Sequence, residues 1–233
     1  MDKPKGARMT KPMQKIFKLT DQQMCTYEGY QWVIGITVKE TCDSGLCAPH
    51  CLHAYLHELH ATLFNPIHAK IKNPRLFEGL GVVAIDDGTK LGCTEITLTR
   101  ELELPVISTA ARVHWAILCS LEVEQPDRYK KWAGSWLDGS DRSAEAARAA
   151  AWAAAWAARE AAWAAARAAT GAAGAATGAA RAATGAAEVA WAAGTAGAGH
   201  SIDLVALAEQ AIREEAAYEQ TRADTTQAKT TGE

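Results

Sequence analysis

From Ser143 to Gly199 the chain is alanine almost throughout, and the exceptions recur at helical spacing. Arg148, Trp152, Trp156, Arg159, Trp163, Arg167 and Thr170 open a series that continues to Trp191 in steps of three or four residues. The mean step is about 3.6, the repeat of an α-helix. On a helical wheel these residues occupy roughly 120° and leave a broad opposite face of alanine. Alanine is the best helix former and a poor strand former, so a β reading is excluded. One continuous helix here would run about 75 Å. Gly171, Gly174, Gly178 and Gly185 each cost such a helix about 1 kcal/mol, so its second half needs tertiary support. A face of small residues lets another helix approach closely. The expected occupant is a second alanine face, from this chain or from another copy of it. Gly194 to Gly199 reads as the break, and Ser201 as the cap of a short return helix bearing Ile202, Leu204, Val205, Ala208 and Ile212.

Alanine hides one methyl per residue, so this tract cannot supply the main core. All six cysteines and all seven prolines lie before residue 127, and that shift marks a boundary. The expected fold class is α+β: a small β-sheet domain with one helix, then an all-helical Ala-rich region made of a long helix and a short return helix. The expected divisions are 1–14, a basic arm; 15–105, the α+β domain; 106–139, a pair of linking helices; 140–222, the Ala-rich region; and 223–233, a disordered tail. Lys15–Leu19, Gln31–Val38, Leu76–Ile85 and Leu91–Leu104 read as strands, with Asp86-Asp87-Gly88 as a hairpin turn. His50–Phe64 has helical rhythm, and Asn65-Pro66 is expected to end it. Ser108 or Thr109 caps a helix to about Glu124, and Pro126 begins another that stops near Asp138-Gly139.

The net charge of −3 gives no basic field, so nucleic acid is not an expected partner. The locally basic start (Lys3, Lys5, Arg8, Lys11, Lys15, Lys18) reads as a frayed terminus. No apolar leader follows it, and the alanine tract carries Arg and Glu without Leu, Ile or Phe. No membrane partner is therefore expected. The expected compartment is the cytoplasm, with cysteines reduced.

The densest set of chemically capable side chains is Cys42, Cys47, His50, Cys51, His53, His57, His60 and His68. On the expected helix, His53, His57 and His60 share a face, and Cys47, His53 and His57 form the candidate metal set, for which zinc is the natural ion. The spacing matches no paired-thiolate zinc knuckle, there is no His-Glu-x-x-His, and no cofactor is otherwise expected. Cys47 or Cys51 with His53 could be written as a nucleophile and base, but nothing in the spacing selects them. Gly79-Leu-Gly81 lacks a phosphate-loop continuation, and Asp86 with Asp87 reads as turn chemistry. Trp152, Trp156, Arg159, Trp163 and Arg167 form the candidate partner surface, since Trp and Arg dominate interface energetics. Docking of that stripe on the helices around Trp132 and Trp136 is the competing expectation.

Lys15-Ile-Phe-Lys-Leu-Thr-Asp21, Leu52-His53-Ala54-Tyr55, Asn65-Pro66-Ile67-His68-Ala69, Asn73-Pro74-Arg75-Leu76-Phe77-Glu78, Ala116-Ile117-Leu118-Cys119 and Ile202-Asp-Leu-Val-Ala-Leu-Ala-Glu209 resemble the text of an uncharacterised phage and prophage protein family with an Ala-rich C-terminal tract. The likeness covers most of residues 15–213. The segment Ala48-Pro49-His50-Cys51 departs from it, where such proteins carry Gly and Trp. The resemblance implies a phage accessory protein in an infected or lysogenic bacterium and transfers no mechanism. The expected function is non-enzymatic macromolecular binding as a homo-oligomer joined through Ala-rich helices, with an unknown host or phage protein as partner. A host-defence or toxin component is one such partner. The alternatives are a small metal- or ligand-binding domain and a structural helical spacer.

Overall fold

The computed structural model describes residues 12–43, 45–46, 50–122, 127–143 and 202–231. They fall into two units: 1–61 with 71–104, and 62–70 with 105–233. The fold is α+β, with an antiparallel five-stranded sheet in the first unit and helices in the second.

The strands of the first unit are β1 Gln14–Thr20, β2 Thr37–Lys39, β3 Leu52–Ala54, β4 Arg75–Asp86 and β5 Leu91–Leu102. They run in the order β1-β4-β5-β2, and β3 pairs with another part of β5. The β4–β5 hairpin turns where expected. The Asp87 carboxylate accepts from Thr89 N, Thr89 Oγ1 and Lys90 N, and Gly88 takes the positive φ (83°). β1 borders β4 on one side. On the other, Phe17 and Tyr55 exchange two backbone hydrogen bonds at 2.8 and 2.9 Å, so the sheet curls until β1 meets the residue after β3. Register shifts along β4, the mark of bulges, accompany this curvature. Ile16, Trp32, Leu52, Ala54, Phe77, Leu91, Cys93, Ile96 and Leu98 fill the interior. Lys18, two residues from Ile16 and so on the same side of β1, is enclosed with them.

The helices are α1 Glu58–His68, α2 Thr109–Leu121, α3 Asp127–Leu137 and α4 Leu204–Thr231. Ser108 caps α2 through a bond from Ala111 N to its hydroxyl. Gly139, at φ 79°, ends α3. α4 lies against α2, where Trp115 Nε1 donates to Leu204 O at 3.1 Å. His114 Nδ1 meets the Glu215 carboxylate at 2.9 Å, and the Glu214 carboxylate lies 2.8 Å from Nε2. Arg142 grips Glu215 with two bonds, 3.0 and 2.7 Å, between the rings of Trp136 and Tyr218. Burial pushes the Glu215 carboxyl up, but the bonds from His114 and Arg142 outweigh it and hold it below its ordinary value.

Three elements differ from the sequence reading. His50–Phe64 is not one helix: β3 takes Leu52–Ala54, α1 starts at Glu58, and it runs past Pro66 to His68. Proline leaves the carbonyl four residues earlier without its helical donor. That carbonyl, Thr62 O, accepts from Arg112 Nη1 at 3.4 Å, which removes the reason to stop. Gln31–Val38 is a strand only from Thr37. The described part of the expected disordered tail, 223–231, is instead the last turns of α4, which continues to Thr231. The long Ala-rich helix and its Trp/Arg stripe lie outside the described residues.

Candidate interaction surface

Between β1 and β2, residues 21–36 form a loop whose backbone is pinned almost residue by residue. Asp21 Oδ1 accepts from Gln23 N and Cys25 N, an Asx turn. Thr26 N donates to Tyr30 O, Trp32 N to Met24 O, Gly35 N to Leu98 O and Ile36 N to Val33 O. Gly29 and Gly35 supply φ of 76° and 81°, which a side chain would resist. Trp32 is the peg: it is 2 % exposed, its Nε1 donates to Thr26 Oγ1 at 2.9 Å, and its ring stands 5.3 Å from that of Tyr30.

Lys18 holds that peg from inside. Its Nζ lies 4.4 Å from the Trp32 ring centroid and donates to His53 O at 2.6 Å. A cation over an indole face is an attraction that desolvation strengthens. Burial lowers the Lys18 amine to about 8, against a smaller opposing pull from Cys93. The Cys93 thiol is pushed up to about 11 by burial, which makes it a core side chain and not a thiolate nucleophile.

Around this anchored frame the apolar side chains face water. Tyr27 is 86 % exposed, Ile36 58 % and Val33 53 %, and Tyr30 and Ile34 are exposed as well. Five large apolar or aromatic side chains in ten residues make a run of the kind that marks an interaction site. Preorganisation lowers the entropy lost when a partner binds. The run Gln31–Val38 reads from sequence as a strand, which gives no sign that Val33, Ile34 and Ile36 face water. The available signal was Gly29 and Gly35 bracketing a run that does not alternate.

The expected metal set is not assembled on a helix face. His53 lies in β3, where its Nε2 meets Leu46 O. His57 precedes α1, and its Nδ1 accepts from Leu59 N at 3.2 Å. Cys47 lies outside the described residues, and among those described no group of three or more His, Cys, Asp or Glu could hold a metal ion. Cys51 is bonded to Cys42 in a disulfide, so the expectation that every cysteine is reduced does not hold for this pair. His50 Nδ1 stands 3.3 Å from the Glu40 carboxylate. The expected partner surface, Trp152, Trp156, Arg159, Trp163 and Arg167, lies outside the described residues. No described helix is long and apolar enough to cross a membrane. No protein family, curated protein or solved structure matches the chain.

Proposed function

We propose that the protein is a non-enzymatic binding protein and that the Tyr27–Ile36 loop makes its contact with another macromolecule. One observation carries this reading: an ordered loop holds Tyr27, Tyr30, Val33, Ile34 and Ile36 in solvent around a buried tryptophan. His114 with Glu215, and Lys18 with the backbone carbonyl of His53, are buried polar contacts engaged in packing, which also favours binding over catalysis. The resemblance to phage and prophage proteins makes a host-defence or toxin component the first partner to try. Assembly through the Ala-rich region belongs to the same proposal.

The test uses the full chain as bait in bacterial host lysate beside the Tyr27→Ala and Ile34→Asp variants. Exposed side chains tolerate such changes within about 0.5 kcal/mol of folding stability. Truncating an interface anchor costs about 2 kcal/mol or more, roughly a thirtyfold loss of affinity. The expected result is a partner captured by the wild type and lost with both variants, their circular dichroism unchanged. Equal capture by all three refutes the assignment of the surface.

A further inference from the structure

The loop between β2 and β3 is closed by the Cys42–Cys51 disulfide, and its backbone is held in conformations a relaxed chain avoids. Cys42 has φ 43° and His50 φ 65°, both left-handed and both non-glycine. Such residues persist where surrounding structure fixes them, and the constraint at this place is the covalent bridge. Cys42 N donates to His50 O at 3.0 Å across the base of the loop. The two sulfurs rest on β5, where a Cβ at Gly92 would stand 2.7 Å from one and 2.8 Å from the other. Gly92 is also the register partner of His53 in β3.

His53 connects this loop to the apolar surface. Its ring reaches Leu46 O inside the closed loop, and its carbonyl accepts from Lys18 Nζ. Lys18 in turn holds Trp32, the peg of the 21–36 loop. His53 is the middle residue of the three-residue β3 and lies two positions from the bridged Cys51.

We infer that the Cys42–Cys51 pair is a redox-responsive site that sets the order of the Tyr27–Ile36 surface through His53, Lys18 and Trp32. The reductant is a dithiol. Its two thiols give up two electrons and two protons and close into a disulfide, while the S–S bond breaks and Cys42 and Cys51 each become a thiol. Cys51, half-buried, is the more accessible half of the pair. With the bridge open, Cys42 and His50 leave the left-handed region, His53 shifts, and Lys18 loses its acceptor. The apolar loop loosens as a result. Control of binding by this route rests on the surface assignment above.

Hydrogen exchange of the full chain, followed by mass spectrometry without any partner, tests the coupling. Protein purified without reductant is compared with protein treated with dithiothreitol. On reduction, peptides covering 27–36 and 50–54 exchange about tenfold faster or more, while 75–80 and 98–102 keep their rates. In Lys18→Met, reduction still speeds 50–54 but no longer changes 27–36. Equal rates at 27–36 in both redox states overturn the inference, and so does an equal response in Lys18→Met. General acceleration, or Cys42 and Cys51 found as free thiols before treatment, overturns it too. Failure of the surface assignment shows separately, as unchanged capture by Ile34→Asp.

Discussion

Lys18 shows how far the fold can move one residue from its ordinary chemistry. Its amine titrates near 10.5 when solvated and at about 8 in the core. Between those values the unfolded chain binds more protons than the folded one, so the part of stability that depends on Lys18 rises with pH across that window. Cys93 acts in the opposite sense: its thiol moves from 9.0 to about 11, and its contribution falls as pH rises between them. Comparison with Lys18→Met isolates the amine. The melting temperature of the wild type should gain on the variant as pH is raised from 8 towards 10, and a gap that does not change with pH would rule out a buried amine. Little of this was legible in Lys15-Ile-Phe-Lys-Leu. Both parities of that strand carry apolar residues, and the closing contact between Phe17 and Tyr55 decides that the side bearing Lys18 is enclosed.

Among the elements, α4 departs most from its sequence signal. Leu204, Ala208, Ala211 and Glu215 are its buried positions, at steps of four, three and four. The apolar stripe was legible as far as Ile212. Glu215 puts a carboxylate where the stripe should continue, and its partners His114 and Arg142 stand 101 and 73 residues away in sequence. Its lowered acidity means the stabilisation is complete above the unfolded value of 4.5 and is lost as pH falls through the lower folded value. Removing one member of a buried charged set costs about 3 kcal/mol or more. Glu215→Gln should therefore lower the melting temperature of the helical signal at pH 7, and the gap to wild type should narrow below pH 4.5. A gap of constant size would mean the carboxylate is not paired as described. Gly139 is the companion case: a Cβ there would meet the Tyr218 ring that stacks on Arg142, and its φ of 79° already favours glycine.

At the scale of the whole chain, residues 144–201 depart after Ser143 and rejoin at Ile202, and both flanks are tied into one set of contacts. Arg142 binds Glu215, and Leu204 accepts from Trp115. Leu204 and Glu215 are about 16 Å apart along the helix. A flexible linker of about 20 residues reaches roughly 25 Å. Replacing 144–200 with such a Gly/Ser linker should leave the melting of the helical unit within a few degrees, while light scattering should show a smaller assembly than the full chain forms. An assembly of undiminished size would refute association through the Ala-rich region. The sequence by itself determined the α+β class, the β4–β5 hairpin and the starts of α2 and α3, because periodicity, turn residues and caps act within a few positions of one another. Tertiary structure alone decided that Pro66 does not end α1, that the Tyr27–Ile36 run faces solvent, that Cys42 pairs with Cys51, and that Lys18 and Glu215 are enclosed. Each of those outcomes depends on a partner distant in sequence (Arg112, Leu98, Gly92, His53, His114), and local pattern carries no information about which distant residue will arrive.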